Sequence, residues 1–197
     1  MANKIYTKKG DGGNTKTFNG PISKADQLAV TLGTIDELNS WIGYCRSQIF
    51  NFQFSISNKF SIIQFDKQLK NIQTNLMTIN SILAGAKAQR FKGTEVNKLE
   101  KLIDKLQAEL PELKNFIYPV GYLQVARTVA RRAERELVLL NASSLPADAS
   151  HQAMQAGYRL APSILKYINR LSDALFVLAR YHNQQSGIKE EVWKDRR

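Results

Sequence analysis

The chain has 197 residues, of which 43% are hydrophobic and 23% are charged, a balance that predicts one globular domain and excludes a disordered or fibrous chain. The formal net charge of +11 favours an anionic partner, although charge alone does not choose between nucleotide phosphates, nucleic acid and a membrane surface. The single cysteine, Cys45, excludes an internal disulfide, and no apolar run reaches the roughly 18 residues of a membrane span. We therefore expect a cytoplasmic protein that is not inserted in a membrane.

Residues 1–23 show no helical period, and their glycines, Pro21 and small polar residues predict an ordered loop or short strands. Within them, KKGDGG at residues 8–13 sets three glycines beside two lysines. Glycine adopts positive φ without strain and lets backbone amides approach a phosphate closely. The segment lacks the spacing of a Walker motif, so by itself it is equally typical of a plain turn.

Five stretches beyond residue 23 repeat apolar residues in steps of three and four, which predicts five amphipathic helices. The first begins near Lys24 and the second covers residues 62–83. The third begins at Thr94, a residue typical of a helix cap, and Pro111 ends it. The fourth and fifth span about 121–141 and 160–184, with 142–150 as the linker.

No apolar β-branched runs alternate with these helices, so the pattern favours an all-α, antiparallel five-helix bundle over an α/β sheet. We predict a single domain over residues 1–197. It comprises an ordered glycine-rich N-terminal loop (1–23), the bundle (24–184) and a C-terminal tail (185–197).

The fourth helix carries a row of arginines. At 100° per residue, Arg131 lies about 40° and Arg135 about 80° from Arg127, whereas the apolar residues lie on the opposite side. Arg132, at about 140°, borders the apolar face, where a long side chain snorkels or pairs locally. Aligned cations repel one another, so an anion or the carboxylates of a neighbouring subunit are expected opposite them. The alternative, favoured for an isolated helix, is a solvated face with an Arg131–Glu134 pair.

A polar flank borders the apolar stripe of the first helix. Asp36 lies there among small residues, an arrangement that suits the close approach of another helix or subunit. Its carboxylate is a candidate partner for an arginine such as Arg127, although an aspartate at a surface is more often simply solvated.

The fifth helix places Asn169, Asp173 and Arg180 within one narrow arc. Asn169 is suited to hydrogen-bond a phosphate or a metal-bound water. A surface pair of Asp173 with Arg170 or Arg180 is an equally good interpretation of the same spacing.

Two kinds of site have few residues to form them. The only histidines, His151 and His182, together with one cysteine exclude a Cys/His zinc site within one chain. They also leave few candidate residues for a nucleophilic triad.

Residues 116–118 precede Pro119 and form an apolar loop tip, which either packs a helix entry or covers a planar ligand.

Five segments resemble, in order and over nearly the whole chain, the motifs of the PduO-type ATP:corrinoid adenosyltransferases. They are IYTKKGDGG (5–13), GTIDELNS (33–40), FIYP (116–119), RTVARRAER (127–135) and YINRLSD (167–173). The resemblance implies a homotrimer of five-helix bundles with each active site between two subunits. It also implies transfer of the 5′-deoxyadenosyl group of ATP to the cobalt of reduced cobalamin, forming adenosylcobalamin and releasing triphosphate.

The resemblance further implies roles for individual residues. Asp36 and Arg127 form a subunit-bridging pair beneath the corrin, and Phe116 takes the place of the lower ligand of cobalamin. Magnesium is held mainly by ATP, near Asn169, with no protein ligand identified. The ATP-binding residues are Thr7, Lys8, Lys9, Gly10, Thr15, Lys16, Lys24, Arg131, Arg132, Glu134, Arg135 and Asn169.

The implied partners are ATP, a reduced corrinoid and an electron-donating reductase, with no nucleic acid and no membrane. One departure concerns residues 117–126, which are several residues shorter than in the family and lack its Leu-His before Arg127. Two other functions remain open: a degenerate ATP-binding member with a structural or sensing role, and a basic helical module that binds nucleic acid. The second predicts stacking aromatics along an exposed cationic stripe, whereas the aromatics here fall mostly in apolar stripes and loops.

Overall fold

The computed structural model describes residues 4–49, 62–143 and 160–194. It confirms the predicted helical bundle. The described elements are β1 (Asn14–Thr17), β2 (Gly20–Ser23), α1 (Gln27–Ile49), α2 (Ile62–Leu83), α3 (Thr94–Gln107), α4 (Tyr122–Ser143) and α5 (Pro162–Gln185).

The helices pack in the spatial order α2, α1, α4, α5, α3. Each buries the apolar stripe seen in its sequence, since residues three and four apart share one face of a helix. Ile35, Leu38 and Ile42 of α1, for example, are fully buried. α5 lies between α3 and α4 and is the most enclosed, which is why even Arg180 and His182 near its end are buried.

β1 and β2 form an antiparallel hairpin with Thr17 opposite Gly20, which confirms the expectation of short strands before the first helix. The amide of Phe18 in its turn donates to the carbonyl of Ala84, 2.9 Å away, so the hairpin tip is fixed to the end of α2. α1 begins at Gln27 rather than near Lys24. The reason is that the Lys24 amide donates to the Gly13 carbonyl at 2.9 Å, which keeps Lys24 in the N-terminal loop.

Two other helix ends differ from expectation. The N-cap of α3 is Gly93, which makes no side-chain cap bond, and Thr94 is the first helical residue. α4 extends through Ser143, so the first two residues of the predicted linker at 142–150 are helical, and the others lie outside the described residues. Residues 51–58, which connect α1 to α2, also lie outside the described residues. None of the described helices is both long enough and apolar enough to span a bilayer.

After α5 the chain turns back along the bundle. Val192 forms an isolated antiparallel bridge with Ile117, so residues 188–193, here called the C-terminal segment, lie beside residues 116–120, here called the Phe116 segment. This pairing joins two parts of the chain more than 70 residues apart in sequence.

Candidate functional site

The arginine face of α4 is half-buried at Arg127. The Arg127 Nε donates to the Gln124 side-chain oxygen at 2.6 Å, and the guanidinium lies 5.9 Å from the centre of the Phe176 ring. Burial, and secondly the charge of Arg131, lowers the pKa of Arg127. Arginine keeps its proton in proteins. The lowered pKa therefore means that the surroundings of Arg127 destabilise a positive charge that is still present.

Neither Arg127 nor Arg131 has an acidic partner among the described residues. The alternative of an Arg131–Glu134 pair is not formed, because Glu134 instead accepts a 2.7 Å hydrogen bond from the Asn169 amide. Arg135 donates to the carbonyl of Arg131 at 3.2 Å. The face therefore offers two fixed cations that an anion would stabilise.

A cavity of about 760 Å³ opens in front of these arginines, and Phe116, Arg127 and Arg131 all line it. Its size is that of a ligand pocket. The Phe116 side chain is 81% exposed, which is unusual for a residue of this type and leaves the ring available to a ligand.

The cavity also contains acids, but two of them are engaged by another cation. Arg170 pairs with Glu100 at 3.1 Å and with Asp173 at 3.4 Å. The alternative of a local Asp173–Arg170 pair is thus formed. Glu100 and Asp173 do not neutralise the arginines of α4.

The N-terminal loop has its own cationic arrangement. The Lys24 Nζ donates to the Gly10 carbonyl at 2.9 Å and closes the loop across fourteen residues. A Cβ at Gly10 would lie 3.1 Å from that Nζ and 3.3 Å from the Asn14 carbonyl oxygen, so the turn has little room for a side chain. Lys8 has a φ of 59°, a strained backbone for a residue other than glycine and one that is concentrated at functional sites.

The remaining loop residues assigned to ATP are solvent-facing. Thr7 and Lys9 are exposed, as are Thr15 and Lys16 of β1. None of the lysines at 8, 9, 16 and 24 forms an ion pair with a described residue. An exposed loop with unpaired lysines and backbone amides is suited to bind phosphate oxygens.

The structure brings some of the predicted residues together and keeps others apart. Phe116, Arg127 and Arg131 share the cavity, Glu134 bonds Asn169, and Lys24 bonds Gly10. Asp36 is exposed on α1 and makes no ion pair with Arg127 within the described chain. The cavity lining includes neither Asp36 nor any residue of the N-terminal loop.

Several contacts at the site were not predicted. Arg132 pairs with Glu37 on α1, Gln124 orients Arg127, and the Tyr122 hydroxyl lies 2.7 Å from His182 Nε2. Arg180 pairs with Glu190 at 2.5 Å rather than with Asp173. These partners lie on other elements or, as with Gln124, are neutral neighbours, so a helical wheel of charges gives no signal for them. Among the described residues there is no cluster of three or more His, Cys, Asp or Glu that would hold a metal alone.

Comparison with known families agrees with this geometry. The family model for cobalamin adenosyltransferase matches residues 5–182. A corrinoid adenosyltransferase of Bacillus subtilis is 37% identical over 193 residues, covering 94% of this chain and 89% of that one. The corrinoid adenosyltransferase MMAB of Bos taurus is 35% identical, and the match covers 97% of this chain and 76% of that one.

Solved structures are similar over the same extent. A variant of the PduO-type ATP:corrinoid adenosyltransferase from Lactobacillus reuteri, complexed with cobalamin and ATP, has a TM-score of 0.76 at 31% identity and covers 98% of this chain and 100% of that one. Another variant of that protein, complexed with ATP, has a TM-score of 0.76 at 32% identity and covers 96% of this chain and 100% of that one. Because both the sequence motifs and the fold agree over almost the full length, the chain belongs to the cobalamin adenosyltransferase family.

Proposed function

We propose that this corrinoid adenosyltransferase transfers the 5′-deoxyadenosyl group of ATP to cobalamin at a site shared between two subunits of a homotrimer. The observation that carries the proposal is the cavity in front of α4, which sets the exposed Phe116 ring beside two arginines that pair with no acid among the described residues. The apolar ring suits a planar macrocycle, and the cations suit a polyphosphate.

The chemistry is a displacement at carbon. The cobalt of cob(I)alamin supplies two electrons to a new bond with the 5′ carbon of ATP, and the bond from that carbon to the phosphate oxygen breaks. Triphosphate leaves with the electron pair of the broken bond. No proton moves, which agrees with a cavity that no described histidine lines; His182 is buried elsewhere, against Tyr122.

The protein therefore acts by positioning two reactants and by stabilising the leaving triphosphate. Lys8, Lys9 and Lys24 of the N-terminal loop, with its amides, supply one set of donors, and Arg131, Arg132 and Arg135 supply another. Their charges are fixed before the reaction, so little reorganisation opposes the build-up of negative charge.

Magnesium would be bound mainly by the phosphates of ATP, where it neutralises charge on the leaving group. The Glu134 carboxylate and the Asn169 amide oxygen fit this assignment, because Mg²⁺ takes oxygen ligands and usually needs only one or two from protein when phosphates supply others. The two side chains already lie together through a 2.7 Å hydrogen bond.

Asp36 and Arg127 are assigned to a pair between subunits. Each lacks an oppositely charged partner in the described chain, and the surroundings of Arg127 lower its pKa. A carboxylate from a neighbouring subunit would stabilise that guanidinium in a way that no described acidic residue of its own subunit does. The same pairing would order the interface that completes the site.

Phe116 is assigned to the lower face of the corrin. An apolar ring there gives cobalt no lower ligand, which favours four-coordinate cob(II)alamin and makes its one-electron reduction by a cytoplasmic reductase easier. The geometry that supports this is the exposure of Phe116, which lines the same cavity as Arg127 and Arg131.

The direct test is formation of adenosylcobalamin from chemically reduced cobalamin, ATP and magnesium, followed by absorbance, with triphosphate measured in parallel. We expect one triphosphate for each adenosylcobalamin, and a trimer by sedimentation at micromolar concentration. Cleavage of ATP without a cobalt–carbon product, or a monomer with full activity, would contradict the proposal.

A further inference from the structure

The backbone on both sides of Phe116 is held by the C-terminal segment. The amide of Trp193 donates to the Phe116 carbonyl at 2.8 Å, and the amide of Tyr118 donates to the Glu191 carbonyl at 2.9 Å. The Phe116 ring is 81% exposed, so its own packing does not fix it. The position of the backbone that carries the ring is set by these two hydrogen bonds.

One buried cation anchors the C-terminal segment to the start of residues 111–120, here called the Phe116 loop. The Arg180 side chain is 4% exposed, and its Nε and Nη2 donate to the two Glu190 carboxylate oxygens at 2.5 and 3.0 Å. The same Nη2 donates to the Pro111 carbonyl at 2.9 Å. A single guanidinium thus joins α5, the first residue of the Phe116 loop, and Glu190, which lies two residues before the bridge.

The other end of the Phe116 segment is also fixed to α5. The Asn183 side-chain Nδ2 donates to the Val120 carbonyl at 3.1 Å, and the Ile188 backbone amide donates to the Asn183 backbone carbonyl at 2.8 Å. The loop is therefore attached at 111, at 116 and 118, and at 120. Every attachment comes from α5 or from the segment that follows it.

We propose that Arg180 and Glu190 are positioning residues, whose ion pair holds the C-terminal segment against the Phe116 segment and so fixes the Phe116 ring at the corrinoid. A buried charge is kept only where it is paired, so loss of the Glu190 charge leaves Arg180 without its partner. The inference rests on the proposed role of Phe116. The Arg180–Glu190 pair and the two backbone bonds between the segments, together here called the brace, are measurable without any substrate.

The first experiment is Glu190→Gln, with Glu191→Gln as the matched control. Both changes remove one negative charge from adjacent residues, but the Glu191 side chain forms no hydrogen bond or ion pair with a described residue, and only its backbone carbonyl is bonded. In Glu190→Gln we expect faster hydrogen exchange at the Tyr118 and Trp193 amides, with exchange in α1 and α4 unchanged. The control should exchange as the unmodified protein does. Unchanged exchange in Glu190→Gln would overturn the brace.

The second measurement links the brace to the corrinoid. With ATP and cob(II)alamin bound, the absorption and electron paramagnetic resonance spectra report the four-coordinate fraction. We expect that fraction to fall on the order of tenfold in Glu190→Gln, the effect of losing one hydrogen bond to a charged group, with ATP affinity unchanged. Equal losses of ATP affinity and of four-coordinate cob(II)alamin would show that Arg180 and Glu190 merely stabilise the bundle, and would overturn the inference.

A disulfide provides the rescue. Ile117 and Val192 form a non-hydrogen-bonded antiparallel pair, whose Cα atoms lie about 4.5 Å apart, within the range of a disulfide. Cys45 does not compete, because burial raises the pKa of its thiol to about 12. Ile117→Cys with Val192→Cys should restore the four-coordinate fraction to Glu190→Gln when oxidised and lose it again when reduced.

Failure of the rescue, with the disulfide formed, would mean that the ion pair does not act through the Phe116 segment. Failure of the proposed function looks different. If Phe116→Ala leaves the four-coordinate fraction unchanged while Glu190→Gln still loosens the Tyr118 and Trp193 amides, the brace exists but the assignment of Phe116 to the corrinoid is wrong.

Discussion

The N-terminal loop and the Phe116 segment both present residues to the proposed site, but they are held in opposite ways. The loop is closed by neighbours in sequence, through the β1–β2 hairpin and the Lys24 bond to Gly10. The Phe116 segment is held by residues that follow α5, through the Ile117–Val192 bridge and the Arg180–Glu190 pair. One region is specified by local sequence and the other by tertiary structure.

This difference predicts how each region responds to change. The loop should tolerate changes outside the end of α2, where Phe18 bonds Ala84, because its other bonds close within fourteen residues. The Phe116 segment should be sensitive to α5 and to the C-terminal segment, because its position depends on both. ATP binding and corrinoid handling are therefore expected to be separable by mutation.

The largest effect is expected for Asp36→Asn. If Asp36 pairs with Arg127 across subunits in a dry interface, removing its charge costs about 3–5 kcal/mol. Corrinoid binding, measured by titration, should weaken severely while ATP affinity stays nearly intact. The double variant Asp36→Arg with Arg127→Asp should recover part of the loss, and a fully active Asp36→Asn enzyme would refute the pairing.

Phe116→Ala is expected to come next. Adenosylation from cob(II)alamin should slow on the order of 100-fold, equivalent to about 2.7 kcal/mol, while the reaction from chemically reduced cob(I)alamin stays close to normal. Only the first route needs the lower ligand displaced. Equal slowing of both routes would mean that Phe116 packs the structure and does not act on the corrinoid.

Arg131→Ala tests the phosphate side. One charge-assisted hydrogen bond to phosphate contributes roughly 1.5–3 kcal/mol, so ATP affinity and turnover should fall together. Arg90→Ala is the matched control, since among the described residues the Arg90 guanidinium bonds only the nearby carbonyls of Lys87 and Gln89. If ATP binds Arg131→Ala and the control equally well, the arginine face is simply solvated.

The smallest effect concerns the pair of Tyr122 and His182, which joins the start of α4 to the end of α5. Burial lowers the pKa of His182, so the unfolded chain binds a proton at a higher pH than the folded one does. Stability should therefore fall as the pH decreases below the unfolded pKa of about 6.5 and level off below the folded pKa. Urea unfolding at pH 7.5 and 5.0 measures this loss.

Two variants check the origin of that pH dependence. His182→Gln should remove most of it, because no group at that position then titrates. Tyr122→Phe should lower stability by about 1 kcal/mol at pH 7.5, the typical contribution of one hydrogen bond. An unchanged pH dependence in His182→Gln would assign the acid sensitivity to another group.

By itself the sequence determined the helices and the cationic faces, because both depend on residues that are close along the chain. The steps of three and four located five helices, and the 100° rotation placed Arg127 and Arg131 on one face. Glycines and lysines at 8–13 likewise predicted a turn suited to phosphate. The resemblance of five short motifs to a known family added the reaction.

Only the tertiary structure decided which charges are paired. Glu134 bonds Asn169 and not Arg131, Arg132 reaches Glu37 on another helix, and Arg180 turns to Glu190 after the end of α5. In each case several partners lie within reach on a helical wheel. The choice depends on which helix packs alongside, on burial and on chain reversal beyond the helix end, and none of these is encoded in local spacing.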